Sequence, residues 1–282
     1  MSLEGEVIAG LPHVQADLRY LAPMTARPRN YAYEPPAGVP PTNTEREMHR
    51  VAIHDLRPIA THLSLDTNGI ALIQHSSAVR DFYDEEKIRR VYYPEVVAVL
   101  KRVTGADRVH IFDHTVRKRI PDTDDYSPDA PRQPAWNVHV DHTARSGPQR
   151  VRDLLPDEAE ELLKGRLQVI NLWRPIRGPV QDAPLAVCDA SSVSDHDLIP
   201  SDLVYQHRVG ETYSVTFNPA HRWFYVPQMQ PEEALLLKCV DTAAHVPARF
   251  TPHSAFFDPT TPTGAPLRES IEVRCLVFHK AA

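Results

Sequence analysis

The spacing of one histidine and one aspartate gives the chain its clearest chemical signal. Of the fifteen histidines, only His139 is followed two positions later by an acidic residue, Asp141. On a β-strand, residues i and i+2 point to the same face, so the imidazole and the carboxylate would converge. With a more distant histidine, such a pair forms the facial triad that binds Fe(II) in non-haem oxygenases. The coordination positions left open on that metal suit a 2-oxo acid and dioxygen.

Two downstream signals follow in the order that this chemistry requires. His253 lies in RFTPHSAF, and a proline-rich loop then leads to Arg268-Glu269-Ser270. A guanidinium matches a carboxylate in bidentate geometry, and a hydroxyl two residues further along a strand points the same way. We therefore expect Arg268 and Ser270 to bind the distal carboxylate of 2-oxoglutarate. His221 also lies between the two motifs and stays an alternative third metal ligand.

The same residues have plainer interpretations. An HxD pair arises readily in a chain rich in histidine and acidic residues, so the pair alone is weak evidence for a metal site. The run RESIEVRCLVF also fits an edge strand with a solvent-facing polar side. If helices cover the outside of that sheet, however, the polar side would look into the barrel, where a buried arginine requires an anionic partner. The side chains on that face are Arg268, Ser270, Glu272 and Arg274.

Other polar and aromatic residues are candidates for the wall of a substrate pocket. Each of them also fits a hydrogen-bonded position in the core or in a turn. The first group lies in LQVINLWRPIRG and the second in NPAHRWFYVP. The candidates are Asn171, Trp173, Arg174, His221, Trp223 and Tyr225.

The elements that must position these residues are mostly short strands. Eight segments separated by Pro, Asp or Asn predict strands after Gly105, and they suggest two packed sheets rather than alternating βαβ units. The predicted fold is mainly β with flanking helices, a double-stranded β-helix (jelly roll, cupin-like). The segments are RVHIFDHTVR, WNVHVDHT, RLQVINLWRPI, PLAVCDAS, ETYSVTFN, HRWFYVP, ALLLKCVD and RESIEVRCLVF.

Two helices are predicted beside the strands. Apolar residues recur at three- and four-residue spacing over residues 84–102, which predicts an amphipathic helix that is kinked or restarted at Pro94 and ends near Gly105. The run LPDEAEELLKG predicts a second, short helix, with Pro156 in its first turn and Gly165 at its end. We expect helices from the first hundred residues to cover one sheet.

Composition bounds the domain organisation and the partners. A Pro-rich connector, PPAGVPPTNT, divides residues 1–45, an N-terminal arm, from residues 46–282, a single jelly-roll domain. The net charge is -6 and the 31 basic residues form no stripe, so we expect neither a nucleic-acid nor a membrane partner. No apolar stretch reaches the roughly 20 residues of a membrane helix and no signal peptide is evident, which predicts a cytoplasmic protein. A homodimer is compatible with this composition.

The three cysteines argue against a disulfide framework. Cys188, Cys239 and Cys275 each lie in an apolar, strand-like segment, and none belongs to a CxxC pair. Such spacing matches neither a disulfide-rich scaffold nor a zinc ribbon. We expect three buried free thiols.

Residues 105–278 resemble a known family of Fe(II)/2-oxoglutarate-dependent oxygenases from natural-product pathways, the gibberellin desaturase and cephamycin 7α-hydroxylase-like family. The resemblance implies a jelly-roll core, with His139, Asp141 and His253 as iron ligands and Arg268 and Ser270 as the 2-oxoglutarate clamp. It also implies hydroxylation or desaturation of a small natural product. The similar stretches are VHIFDHTVR, NVHVDHT, INLWRPIRGPVQDAPLAVCDASSV, HRWFYVPQMQPEEALLLKCVDT, PHSAFFDP and RESIEVR.

We therefore expect an enzyme that uses Fe(II), 2-oxoglutarate and O2 to hydroxylate, desaturate or otherwise oxidise an unactivated carbon of a small molecule. Two alternatives come from other classes. One is a catalytically silent jelly-roll binding protein, which would keep the fold without turnover. The other is a zinc hydrolase that uses the same ligands, although the chain lacks HExxH and such an enzyme needs no Arg268-Ser270 clamp.

Overall fold

Two β-sheets dominate the chain in a computed structural model, which describes residues 5–123 and 131–280. The first four residues of the predicted arm and the last two of the predicted domain lie outside that part. The strands are β1 (His13–Leu21), β2 (Arg29–Tyr31), β3 (Arg46–Asp55), β4 (Ile70–Gln74), β5 (Arg108–Lys118), β6 (His139–Val140), β7 (Arg166–Pro175), β8 (Leu185–Cys188), β9 (Leu198–Val204), β10 (Val209–Val215), β11 (Trp223–Tyr225), β12 (Glu233–Asp241), β13 (His253–Ala255) and β14 (Glu269–His279).

The strands form a large and a small sheet that pack face to face. The large sheet has the order β1-β3-β11-β8-β13-β6-β10-β9-β2, and the small sheet has the order β4-β12-β7-β14-β5. Apolar side chains of both sheets meet in one core, for example Val140 and Trp223 of the large sheet with Leu167 and Leu276 of the small one. Each fully buried side chain of this kind contributes about 1.5–3 kcal/mol. The predicted mainly β, double-sheet fold is confirmed.

Along β14 of the small sheet, successive side chains alternate between the outer face and the inner face. Ile271, Val273 and Val277 pack on the outer side against the helix residues Val96 and Val99. The residues between them point to the inner side, towards the large sheet. Since β14 lies between β7 and β5, it is not an edge strand, and its polar face is turned into the protein.

The helix that covers the small sheet runs without a break past its proline. It consists of α2 (Glu85–Lys87), a π-helical turn (Ile88–Tyr92) and α3 (Tyr93–Thr104). Pro94 has no N–H and its ring crowds the carbonyl four residues earlier, and a wider turn accommodates this, with the Tyr93 N–H donating to the Ile88 carbonyl. The predicted kink at Pro94 therefore takes the form of a π turn. Gly105 ends the helix at φ 69°, as predicted.

The other helices are short. They are α1 (Gly5–Ala9), α4 (Ser146–Leu154) and α5 (Ala159–Leu162), with 3-10 turns at Arg57–His62, Ala190–Ser192 and Asp195–Asp197. The helix predicted over LPDEAEELLKG is reduced to the four residues of α5. The sequence analysis missed α4 because Gly147 and Pro148 suggest a loop, whereas a proline in a first turn is compatible with a helix.

Two further features differ from the expectations, and one agrees with them. The HxD segment forms a strand only over His139–Val140, and Asp141 lies in the bend that follows. The predicted arm is built into the large sheet, because β1 pairs antiparallel with β3 along its whole length. All three cysteines are buried and free, as predicted.

Candidate active site

Three potential metal ligands meet on the inner face of the large sheet. His253 of β13 lies directly opposite His139 of β6 in the antiparallel pair, so their imidazoles share a face and their ring centroids are 4.4 Å apart. The Oδ1 atom of Asp141 is 3.3 Å from Nε2 of His139 and 3.8 Å from Nε2 of His253. One ligand atom of each residue lies within 4.8 Å of the others, a grouping that could hold a metal ion.

Backbone carbonyls fix the orientation of both imidazoles. Nδ1 of His139 is 2.7 Å from the carbonyl oxygen of Asn137, and Nδ1 of His253 is 3.1 Å from that of Thr251. A carbonyl can only accept a hydrogen bond, so Nδ1 carries the proton in each ring and Nε2 keeps its lone pair. Histidine ligands of metals are oriented in this way.

The protonation states at neutral pH suit a divalent cation. Burial, followed by the charge of His139, lowers the pKa of His253, so that imidazole is neutral. Burial alone would raise the pKa of Asp141, but the contact with the His139 imidazole and the charge of Arg274 hold it well below its usual range. The site therefore offers a neutral nitrogen donor beside a carboxylate, the donor set of non-haem iron sites.

The second oxygen of the aspartate faces the small sheet. Oδ2 of Asp141 accepts a hydrogen bond of 2.7 Å from Nδ2 of Asn171 and one of 3.2 Å from Nε of Arg274. The same guanidinium donates to Glu272 and to Asp113. Burial alone would lower the pKa of Arg274, but the charges of Glu272, Asp141 and Asp113 raise it well above the ordinary value.

A small cavity of about 20 Å³ is lined by the two histidines and by Arg268 of the predicted anion clamp. Arg268 and Ser270 are only 3% and 1% exposed. Arg268 Nη1 donates to the carbonyl of Ala183, whereas Arg268 Nε and Ser270 Oγ are buried without a hydrogen-bond partner. The lining residues are Arg117, Ala135, His139, Trp173, Leu185, His253, Ser254, Ala255, Arg268 and Glu272.

The electrostatics of this cavity favour an anion. Burial and the nearby charge of Arg117 lower the pKa of Arg268 to about 9, which still leaves it protonated at neutral pH. The unpaired Nε–H of Arg268 and the unpaired hydroxyl of Ser270 each cost free energy when buried, and a carboxylate would satisfy both. The residues thus fit one end of 2-oxoglutarate, and the triad at the other end of the cavity fits Fe(II).

The remaining candidates occupy different places. Trp173 lines the cavity, with the Arg268 guanidinium 5.6 Å from its ring centroid. Asn171 contacts the metal-ligand candidate Asp141 rather than forming a pocket wall. Arg174 points to the opposite face of β7, where its guanidinium lies over the rings of Phe82 and Tyr92.

The aromatic residues beside His221 also do not line the cavity. His221 Nε2 is 3.1 Å from Asp197 and its Nδ1 is 3.3 Å from the Tyr20 hydroxyl, so both nitrogens are engaged away from the triad. Trp223 is fully buried and donates to the same hydroxyl. Tyr225 packs edge-on against Phe256 in the core. His221 and Trp223 form a hydrogen-bonded cluster around Tyr20, and Tyr225 is a core residue, which agrees with the alternative interpretation of their sequence.

Sequence reasoning missed Arg117, and it placed Glu272 and Arg274 on the candidate inner face without giving them a role. The last two belong to the polar face of RESIEVRCLVF, which was assigned to solvent in the edge-strand interpretation. Arg117 lies directly opposite Ser270 on the neighbouring β5, so it shares the inner face. The available signal was the alternation of charged and strongly apolar residues along β14. It indicates a polar inner face once β14 is known to lie in the middle of its sheet.

Gly69 lies close to Thr251, the residue whose carbonyl orients His253, and this contact gives a testable prediction. Gly69 has φ +77°, and a Cβ atom there would lie 2.1 Å from Oγ1 of Thr251, whose carbonyl accepts from His253. We expect Gly69→Ala to cost about 1–2 kcal/mol for the left-handed backbone and about 1–3 kcal/mol more for the clash. Denaturant unfolding of Gly69→Ala and Gly264→Ala measures both terms.

Gly264 is the matched control for that substitution. Its φ is +78° and nothing lies within 4 Å of a Cβ built there, so Gly264→Ala carries the backbone cost alone. Equal losses of stability in the two variants would show that the contact with Thr251 is not a constraint.

A buried carboxylate orders the turn that follows Asp141. Glu211 accepts hydrogen bonds from Thr143, Arg145 and Arg27. Burial alone would raise the pKa of Glu211, but these donors lower it from an ordinary value of 4.5 to about 2. Its ionised form therefore stabilises the fold above pH 4.5, and this contribution is lost as the pH falls towards 2.

We expect Glu211→Gln to be less stable than the parent protein at pH 7 and the difference to shrink between pH 4.5 and pH 2. Melting temperatures measured across this range test the expectation. Glu47→Gln is the control, because that carboxylate is 48% exposed and pairs with the side chain of His49. A Glu211→Gln difference that stays constant with pH would contradict the assignment.

The proteins that this chain resembles are named as oxidoreductases and oxygenases. The family model described as "Oxidoreductase/YMDC permease-like domain" matches residues 18–278. The hydroxylase/desaturase efuI of Hormonema carpetanum is 37% identical over 248 residues, covering 81% of this chain and 83% of that protein. The Fe(II)/2-oxoglutarate-dependent dioxygenase nvfI of Aspergillus novofumigatus is 32% identical over 255 residues, covering 88% and 90%.

A solved structure shares the whole architecture. The iron and alpha-ketoglutarate-dependent endoperoxidase NvfI superposes with a TM-score of 0.87 at 29% identity, covering 95% of this chain and 99% of that one. Within residues 5–123 and 131–280, no helix combines the length and apolar character needed to cross a membrane.

Proposed function

The chain belongs to the family of Fe(II)/2-oxoglutarate-dependent dioxygenases and hydroxylase/desaturases, and we propose that His139, Asp141 and His253 hold its iron while Arg268 and Ser270 bind the distal carboxylate of 2-oxoglutarate. The iron ligands come from one sheet and the clamp from the other. His139, His253 and Arg268 line one cavity between the sheets, which we assign to the co-substrate.

One observation carries this proposal above the others. Nε of Arg268, which lines the same cavity as His139 and His253, is buried without a partner, and so is Oγ of Ser270 two residues further along the chain. A protein interior pairs its polar atoms with few exceptions, so two neighbouring unpaired donors indicate a ligand with acceptor oxygens. The distal carboxylate of 2-oxoglutarate has this chemistry.

The chain's own residues position the reactants and exclude water. If the triad holds Fe(II) with 2-oxoglutarate and dioxygen, the metal would supply the oxidant for an unactivated carbon, and 2-oxoglutarate would be converted to succinate and CO2. Arg268 orients one end of the co-substrate, and the Trp173 ring shields that ion pair from solvent. His253 is 5% exposed at its side chain and His139 is 24% exposed, so the substrate would approach from the His139 side.

The substrate class is part of the proposal. The relatives efuI and phiK are named a hydroxylase/desaturase and an alpha-ketoglutarate-dependent dioxygenase. We assign this chain to the gibberellin desaturase and cephamycin 7α-hydroxylase-like group, acting on a bulky, largely apolar natural product. The division into an arm (residues 1–45) and a catalytic domain (46–282), a homodimer and a cytoplasmic location stay predictions.

Anaerobic spectroscopy tests the proposed function. Adding 2-oxoglutarate to the Fe(II)-loaded protein should produce a visible charge-transfer band, and admitting oxygen should then release succinate. A zinc hydrolase with the same ligands would give neither signal. A silent binding protein would give the band without succinate. Absence of the band at saturating iron and 2-oxoglutarate would contradict the proposal.

A further inference from the structure

Two side chains of the small sheet hold the one oxygen of Asp141 that does not face the histidines. We propose that Asn171 and Arg274 are positioning residues that fix Asp141 so that Oδ1 alone is presented to the metal. The proposal rests on the proposed function, because it concerns how this chain's triad is held. Nothing in the HxD motif provides for it.

The backbone around Asp141 cannot hold the carboxylate by itself. β6 ends at Val140, so Asp141 lies in a bend beyond the last paired residue. Its side chain needs partners to keep one rotamer, and Asn171 and Arg274 supply them at 2.7 and 3.2 Å. Both bonds end on Oδ2, while Oδ1 is the atom nearest to the histidine nitrogens.

The two donors are placed together by strand register. Asn171 of β7 and Arg274 of β14 are directly opposite each other in an antiparallel pair, so both point to the inner face of the small sheet. They reach across the core to a residue of the large sheet. The metal ligand is therefore positioned by the packing of one sheet against the other.

Both donors are themselves anchored by further hydrogen bonds. Arg274 Nη1 donates to Asp113 at 2.8 Å and to Thr115 at 3.1 Å, and its Nη2 donates to Glu272 at 3.1 Å. Asn171 Nδ2 also lies 3.1 Å from Glu272. A donor held by several acceptors keeps its direction, so the pair can impose a fixed geometry on Oδ2.

If Arg274 acted only through its charge, the expected change in metal affinity would be different. The positive charge of Arg274 repels a metal cation, so if charge alone mattered, loss of the hydrogen bonds to Asp141 Oδ2 would leave the metal affinity unchanged or tighten it. If these hydrogen bonds position Asp141, their loss weakens metal binding, as for other outer-sphere partners of metal ligands. The direction of the change in affinity therefore separates the two roles.

The test compares Asn171→Ala with Gln168→Ala. Gln168 lies on the same strand, is 2% exposed, and donates its side-chain amide at 3.2 Å to Asp241, a buried carboxylate outside the triad. Both variants lose one amide donor to a buried carboxylate. We expect the affinity for Co(II) or for Fe(II) under anaerobic conditions to fall about 10- to 100-fold in Asn171→Ala and to stay near the parent value in Gln168→Ala.

The Co(II) absorption spectrum provides a second readout, because it responds to the number and arrangement of ligands. It should change in Asn171→Ala and not in Gln168→Ala. If Asn171→Ala does not fold, Arg274→Lys is read in the same way, since lysine keeps the charge but cannot reproduce the guanidinium fork. An affinity equal to or tighter than that of Gln168→Ala, with an unchanged spectrum, would overturn the proposal.

Failure of the proposed function gives a different pattern. If the parent protein itself binds no Fe(II), the triad assignment fails in every variant alike. If the parent binds Fe(II) and 2-oxoglutarate but Asn171→Ala and Arg274→Lys match the control, only the positioning role is rejected.

Discussion

Replacing His253 with alanine is expected to weaken Fe(II) binding more than any other single change considered. Its Nε2 atom is one of only three ligand atoms that converge in the described part of the chain. Loss of a direct ligand should exceed the cost of losing an outer-sphere partner, so we expect a reduction of more than about 100-fold. Anaerobic equilibrium dialysis against Fe(II) measures it.

His221→Ala is the matched control for this prediction. His221 was the alternative third ligand from sequence, and its two nitrogens are engaged with Asp197 and Tyr20. We expect His221→Ala to lower the melting temperature but to leave Fe(II) affinity within about threefold of the parent, as for a site without a shared partner. A strong loss of iron in His221→Ala with retention in His253→Ala would reverse the assignment.

The second large effect is expected at the co-substrate clamp. Truncating one partner of a buried, hydrogen-bonded charge pair costs about 2–5 kcal/mol, which corresponds to a loss of affinity of about 30-fold or more. Arg268→Ala should therefore weaken 2-oxoglutarate binding by at least this factor while sparing Fe(II) affinity. Titration of the charge-transfer band with 2-oxoglutarate measures the change.

A shorter 2-oxo acid separates the clamp from a general disturbance. 2-Oxopentanoate keeps the metal-chelating end of the co-substrate but lacks the distal carboxylate. Arg268→Ala should reduce the preference for 2-oxoglutarate over 2-oxopentanoate, and Arg268→Lys should restore part of it because the charge is retained. An equal loss of affinity for both acids would show that Arg268 does not bind that carboxylate.

The sequence could predict those parts of the site that depend on local spacing. On a strand, an i, i+2 pair shares a face, so the convergence of His139 and Asp141 could be argued without the fold, although Asp141 itself lies in the bend after β6. The same holds for Arg268 and Ser270, which are both buried on the inner side of the small sheet. The double-sheet fold also followed from the alternation and punctuation of the later strands.

The parts that depend on long-range pairing could not be obtained in this way. The preference for His253 over His221 rested on order along the chain, whereas in the structure His253 pairs with His139 across β13 and β6. The contacts of Asn171 and Arg274 with Asp141 join three distant segments and leave no pattern in any one of them. The strands β1 and β3 were missed because a Pro-rich connector separates them, although they pair along their whole length.

An anaerobic crystal structure with Fe(II) and 2-oxoglutarate, measured at the iron absorption edge, tests the central claim most directly. The account predicts one anomalous peak about 2.1 Å from the Nε2 atoms of His139 and His253 and from Oδ1 of Asp141. It also predicts that the distal carboxylate lies within hydrogen-bond distance of Arg268 Nε and Ser270 Oγ. An anomalous peak elsewhere, or a co-substrate carboxylate remote from Arg268, would contradict it.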